Sequence, residues 1–219
     1  MELDQFTTVF LDMDGTLLDL HFDFHFWNVH LPERLTEIHG ADHDISKEFA
    51  LQLEAKQGTL DWYCTDHWSQ AFSVNIMALK RELSHLIQYR PGTTDFLEHL
   101  ADVPVNVVLL TNAHPDVVEL KHEITGLLDF FDDQIISHHL GHPKESELFW
   151  KQLKQQHEYA PESTLLIDDS RPVLEAARNW GTAHQLMVSR PNLQQPELTC
   201  TEFDTIDNLH HLVSNNGPN

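Results

Sequence analysis

The sequence predicts an α/β fold on a parallel sheet, with an all-helical segment inserted after the first strand. Three observations lead there. From about residue 89 onward, apolar runs of strand length alternate with amphipathic stretches of helix length, the pattern of a parallel sheet with helices on both faces. An isolated apolar run, Phe6 to Leu11, precedes everything else. Between them, from about 20 to 88, helical spacing dominates and no strand signal occurs. The expected division is therefore a sheet-bearing core of 1–19 and 89–219 and a helical insertion of 20–88.

Inside the insertion, Phe22, Phe24, Phe26 and Trp27 come first. A helix is expected over Ile45 to Gln57, with Phe49, Ala50 and Leu53 on one face. Gly58-Thr59 breaks it, and Thr59 is placed to cap a helix carrying Leu60, Trp62, Tyr63, Cys64 and Trp68. A last helix runs from about Asn75 to His85. Tyr89-Arg90-Pro91-Gly92 ends the block. Then follow a helix capped by Thr93 or Thr94, a strand Val105 to Leu110, a helix Pro115 to Leu127 and a short strand Gln134 to Ser137. A helix Glu145 to Glu158 leads to a strand Thr164 to Ile167. Ser170 caps the next helix, which Gly181 ends, and Ala183 to Val188 is the last strand. The tail after Pro191 reads as loop, with one weak helix over Ile206 to Val213.

The 219 residues carry 35 Asp and Glu against 13 Lys and Arg, a formal charge of −22. Such a chain repels nucleic-acid backbones, and it has no basic stripe to offset this. A phosphate must be held by a few placed groups. Cys64 and Cys200 form no C-x-x-C pattern and no disulfide framework, which suits a reducing cytosol. No signal-peptide pattern and no apolar stretch of membrane-span length occurs. A cytoplasmic protein with no membrane and no nucleic-acid partner is expected; the oligomeric state is not legible. Seventeen histidines are present. His138-His139-x-x-His142 and His210-His211 follow no zinc spacing and read as surface residues.

The chemistry gathers at Asp12-Met13-Asp14-Gly15-Thr16, just past the first strand. Two carboxylates this close raise each other's pKa unless a cation lies between them, and hard oxygen ligands suit Mg²⁺. One carboxylate can attack phosphorus while its neighbour handles the proton. Gly15 frees the backbone for a sharp turn, and Thr16 is expected to hydrogen-bond back to a carboxylate. A calcium loop would need an oxygen ligand at its fifth position, glycine at its sixth and glutamate at its twelfth. Those positions hold Thr16, Leu17 and Asp23, after a strand instead of a helix, so that reading fails.

In open parallel sheets, ligands bind outside the carboxyl ends of the strands. Asp12, Asp14, Thr111, Asn112, Asp168 and Asp169 all fall at expected strand ends and should converge. A phosphoryl-transfer site needs a nucleophile, a cation, hydrogen bonds to phosphate oxygens and a proton carrier. Asp12 suits the first role and Asp14 the last, while Thr111 and the Asn112 N–H can hold a phosphate oxygen. Lys144, expected to open a helix where the dipole disfavours a cation, has a reason to be there if it pairs with phosphate and carboxylates.

Asp12-Met13-Asp14-Gly15-Thr16, Leu110-Thr111-Asn112, Pro143-Lys144 and Ile167-Asp168-Asp169-Ser170 together resemble the four-motif signature of the haloacid dehalogenase superfamily. The resemblance covers the whole chain. It implies a Rossmann-like core, a C1-type helical cap at 20–88, Mg²⁺ and an aspartyl-phosphate intermediate. Members that remove halogens generally lack the second aspartate, so Asp14 points to the phosphatase branch. Many members have Gly-Asp where this chain has Asp168-Asp169. Alignment on Asp-Ser implies Asp169 as the firmer metal ligand beside Asp12 and Asp14, with Asp168 an outer or second one.

Leu17-Leu18-Asp19-Leu20, Phe22-Asp23, Phe26-Trp27, Thr59 to Cys64 with Asp66 and Trp68, and Leu110 to Pro115 further resemble bacterial 5′-nucleotidases of that superfamily that act on GMP and IMP. This implies a purine nucleoside 5′-monophosphate as the small phosphomonoester substrate, with Phe26, Trp62 and Tyr63 of the cap as candidate base contacts, since purines stack on aromatic rings. Core packing is the rival reading of each. A sugar-phosphate phosphatase or phosphomutase would share every core residue. A phosphate-binding regulatory protein without turnover would not need both Asp12 and Asp14.

Overall fold

The computed structural model of the chain describes residues 1–40 and 44–213. Six strands form one parallel sheet: β1 (Thr8–Leu11), β2 (Asn106–Thr111), β3 (Asp133–Ile136), β4 (Thr164–Asp168), β5 (His184–Val188) and β6 (Asp204–Ile206), in the order β3-β2-β1-β4-β5-β6. This is the Rossmann-like arrangement, whose order reverses between β1 and β4. The register pairs Leu11 with Leu109 on one side and Ile167 on the other. One step further along, Asp12 comes beside Asp168, and the Asp12 N–H donates to the Ile167 carbonyl at 3.0 Å.

Alternation along β1 and β4 sends side chains to two faces. Val9, Leu11, Leu165 and Ile167 join one apolar cluster, with Phe96, Leu97 and Leu100 of α7 (Thr93–Ala101) and Val118 and Leu120 of α8 (Pro115–Thr125). Phe10 and Leu166 join the other, under α9 (Ser137–Leu140), α10 (Glu147–Gln156) and α11 (Arg171–Trp180).

Between β1 and α7, the described residues are helical or turn. The elements are α1 (His21–His25), a π-helical turn at Phe26–His30, α2 (Leu31–His39), α3 (Ile45–Lys56), α4 (Leu60–Tyr63), α5 (Thr65–Phe72) and α6 (Ile76–Glu82). This block has an aromatic interior, in which Phe49 packs edge-on against Trp68 and Phe72 and lies parallel to Trp27. The chain enters and leaves it side by side, through an antiparallel bridge of Leu18 with Tyr89. Arg90 fastens that neck, donating to the carbonyls of Thr16, Arg190 and Asp207 at 2.9–3.0 Å. No helix among the described residues is long and apolar enough to cross a membrane.

Several local expectations change. The helix expected from Leu60 through Trp68 breaks at Cys64, whose extended backbone ends α4 and whose sulfur accepts the His67 N–H at the start of α5. Thr59 bonds back to the Lys56 carbonyl and does not cap α4. Thr93 donates to the Leu17 carbonyl, and Gly92 is the N-cap of α7. The tail is not all loop: β6 adds a sixth strand, and the helix expected over Ile206 to Val213 shrinks to a 3₁₀ turn, Leu209–Leu212. A three-residue edge strand with only Ile206 buried offers no periodicity to read.

Candidate active site

The turn after β1 is built to bring two backbones together. The Gly15 N–H donates to the Leu18 carbonyl at 2.8 Å, and Leu17 and Leu18 both donate to the Met13 carbonyl. Gly15 has φ +89°, and a Cβ there would stand 2.6 Å from Asp169 Oδ2. Glycine is what lets Asp169 reach the Asp12 loop. The Thr16 hydroxyl, expected to bond to a carboxylate, is buried without a hydrogen-bond partner.

The expected core residues converge. Lys144 is buried, and its ammonium donates to Asp12 Oδ1 at 2.6 Å, Asp168 Oδ2 at 2.7 Å and the Leu110 carbonyl at 3.0 Å. Burial opposes its charge, but the Asp12 and Asp168 carboxylates override this and hold the ammonium above its usual pKa. Lys144 does not open a helix, because Ser146 caps α10 two residues later. Asn112 positions it instead: Asn112 Oδ1 accepts the Lys144 N–H at 2.9 Å. The Thr111 hydroxyl accepts the Ala113 N–H at 3.0 Å and shapes the same turn.

Oxygens of Asp12, Asp168 and Asp169 lie within 4.8 Å of one another. Burial, more than the partly compensating Lys144, pushes Asp12 up to about 6. Burial and the neighbouring Asp12 and Asp168 raise Asp169 well above the ordinary carboxylate range. When all three are ionised, they leave two negative charges beyond the Lys144 ammonium, which one divalent cation balances and so favours. Asp12 Oδ2 is buried and has no partner. The hard oxygen donors and the surplus charge suit Mg²⁺. Asp168 is the carboxylate tied to Lys144 and to the Ser170 N–H, which leaves Asp169 the less committed oxygen donor.

Asp14 belongs to a second network that the motif reading missed. Lys121 of α8, 1 % exposed, donates to Asp14 and, at 2.5 Å, to Asp23 Oδ2. Lys80 of α6, equally buried, donates to Asp23 Oδ1 at 2.7 Å. Burial, with Asp23 and Asp12 nearby and against the pull of Lys121, pushes Asp14 up to about 6. The signal was present as two lysines on apolar helix faces: Lys121 beside Val117, Val118 and Leu120, and Lys80 beside Ile76 and Leu79.

The three expected base contacts separate. The Tyr63 hydroxyl donates to Glu145 Oε1 at 2.5 Å, while Asn112 Nδ2 donates to Glu145 Oε2 at 2.9 Å, so Tyr63 meets the Lys144 loop. Trp62 lines a groove within the helical block, with Trp27, Phe49 and Leu53. Phe26 is fully buried, packed edge-on to Trp27 with the Lys80 ammonium 4.4 Å over its ring, and presents no face to a ligand.

Residues 6–181 match the model of the haloacid dehalogenase-like hydrolases. The chain is 39% identical over 207 residues to the GMP/IMP nucleotidase YrfG of Escherichia coli K12, covering 94% of this chain and 93% of that one. A solved HAD phosphatase from Thermococcus onnurineus superposes with a TM-score of 0.74 at 20% identity, covering 94% of this chain and 95% of that one. A haloacid dehalogenase-like family protein, SP0104 of Streptococcus pneumoniae, gives 0.62 at 20% identity over 95% and 97% of the two chains.

Proposed function

Because the chain belongs to the haloacid dehalogenase-like hydrolase family, we propose that this phosphomonoester hydrolase acts on purine nucleoside 5′-monophosphates, GMP and IMP, with Asp12 as nucleophile and Mg²⁺ as cofactor. The observation that carries the chemistry is the split role of the Asp12 carboxylate. Oδ1 is fixed by Lys144, and Oδ2 is buried and unpartnered. A nucleophile held by one oxygen and free at the other meets phosphorus without first giving up a hydrogen bond.

In the proposed cycle, Asp12 Oδ2 bonds to phosphorus as the bond to the nucleoside 5′-oxygen breaks, and Asp14 gives that oxygen its proton. Asp14 then takes a proton from water, which attacks phosphorus and frees Asp12. A carboxyl pushed up to about 6 suits both halves of that exchange. Thr111 and the Asn112 turn receive the phosphate oxygens, and Lys144 supplies positive charge beside them. Asp12, Asp168 and Asp169 would hold Mg²⁺, which when bound offsets the repulsion between phosphate and carboxylates, while Asp14 stays on Lys121 as the proton carrier. Residues 20–88 serve in this reading as the cap that covers the site and excludes water. The substrate reading rests on the relative named as a GMP/IMP nucleotidase and on Tyr63 at the Lys144 loop. Phosphate release from GMP, IMP and hexose phosphates, with and without Mg²⁺, tests it. Preference for hexose phosphates overturns the nucleotide reading, and turnover in metal-free buffer overturns the cofactor.

A further inference from the structure

Cys64, His114 and His138 lie far apart in sequence and come together in a group distinct from the aspartates. Cys64 sits between α4 and α5 of the helical block, His114 caps α8 after β2, and His138 lies in α9 after β3. One donor atom from each falls within 4.8 Å of the others. The His138 ring packs edge-on against His114, with centroids 5.0 Å apart. Both His138 ring nitrogens are shielded from solvent and have no hydrogen-bond partner. Histidines expected at the surface behave this way only in part: His139, His210 and His211 are exposed, and His138 is not.

A shielded imidazole with neither nitrogen satisfied costs free energy and needs an explanation. Burial, with His114 and His139 close by, keeps the ring neutral, which is the form that ligates. The donors are two imidazoles and one sulfur, the set that selects a borderline transition metal over Mg²⁺. Ligands on a tetrahedral zinc stand about 3.3–3.8 Å apart, so the three need to close by no more than about 1.5 Å. Around His114 the surroundings suit a ligand too. Its Nε2 lies 3.6 Å from the exposed Asp66 carboxylate, a candidate fourth donor. Its Nδ1 now accepts the Asp116 N–H at 3.3 Å, with the Asp116 carboxylate at 3.8 Å. Loading Nε2 moves the ring proton to Nδ1, and that carboxylate can accept it.

We propose that Cys64, His114 and His138 form a Zn²⁺ site that ties the helical block to the loops at the ends of β2 and β3. The site is distinct from the aspartate cluster in both ligand type and residues. Because Cys64 follows Tyr63, a metal there holds Tyr63 against Glu145.

Co²⁺ titration of the full chain, with saturating Mg²⁺ present, tests the site through thiolate-to-cobalt charge-transfer absorption. The expected result is one equivalent of cobalt with that band, displaced by Zn²⁺, retained in Cys200→Ser and absent in Cys64→Ser. Serine accepts the His67 N–H as well as cysteine does, so the fold is expected to persist, and circular dichroism checks it. His138→Gln should weaken cobalt binding by at least the roughly 10–100-fold that outer-shell changes alone cost. No band in the folded wild-type chain overturns the proposal, as does a band that survives Cys64→Ser or binding unchanged by His138→Gln.

Discussion

Replacing Lys121 by methionine tests whether the network behind Asp14 is a single electrostatic unit. Asp14 and Asp23 supply two negative charges, and Lys80 and Lys121 two positive ones. Lys121→Met leaves two carboxylates on one buried ammonium. Removing one partner of a buried ion pair typically costs about 3–5 kcal/mol. The lower end applies here, because Asp14 already sits at about 6 with Lys121 in place and can take up a proton once the ammonium is gone. At about 2–4 °C per kcal/mol for a chain of this size, Tm should fall by roughly 6–12 °C. Lys121→Met/Asp14→Asn removes the stranded charge and leaves the Asp23–Lys80 pair, at 2.7 Å, intact. Its loss of stability should therefore be smaller than the sum of the two single losses, by a coupling of about 1–2 kcal/mol. Calorimetry at neutral pH in chelator, on wild type, both single variants and the double, measures this. A Lys121→Met Tm within a degree of wild type refutes the reasoning, as does a double-variant loss equal to the sum of the singles.

Asp12→Asn should lower kcat by about four orders of magnitude or more while leaving the fold intact, since an amide is no nucleophile; activity within tenfold of wild type contradicts the role. Chelation should silence turnover, and Ca²⁺ should fail to restore it because its looser coordination spoils in-line geometry; steady-state phosphate release reads both. Burial opposes the charge of Asp23, but Lys121 and Lys80 outweigh it and hold the carboxyl below its usual range. Its folded pKa is thus below its unfolded one, so its stabilisation is complete above about pH 4 and is lost as pH falls through the folded value. Thermal melts below pH 4 should fall less steeply for Asp23→Asn than for wild type. Phe26→Ala should lower Tm by removing a fully buried ring, at about 3–5 kcal/mol, and depress all substrates together. Tyr63→Phe and Trp62→Ala should instead change the ratio of kcat/KM for GMP to that for a small phosphoester.

The alternation of strands and helices was legible because each central strand is a short apolar run buried on both faces, and the sheet places their ends together. Asp12 and Asp168 needed only that rule to be brought side by side. What stayed hidden has one physical character: it depends on which helix face meets which neighbour. Periodicity reads Phe26 and Tyr63 alike, as aromatics on helices. Only packing puts one beneath Lys80 and the other on Glu145. Lys80 and Lys121 broke the apolar pattern of their helices, and that break was the only mark that they were buried. His138 gave no mark at all, since its neighbours Cys64 and His114 arrive from other segments.

The Lys80–Asp23–Lys121–Asp14 chain also bears on how the insertion and the core act together. Lys80 and Asp23 lie in the helical block, Lys121 in a core helix and Asp14 in the turn after β1. A movement of the block that draws Asp23 away leaves Lys121 with Asp14 as its sole carboxylate partner in this network, strengthening that pair and lowering the Asp14 pKa. Asp14 is thus coupled to the position of the block through two lysines shielded from solvent, where such coupling is weakly screened. Lys80→Met, which removes one of the two ammonium partners of Asp23 without touching the turn after β1, should shift the acidic limb of the kcat–pH profile. A profile identical to wild type would show that Asp14 titrates independently of the block.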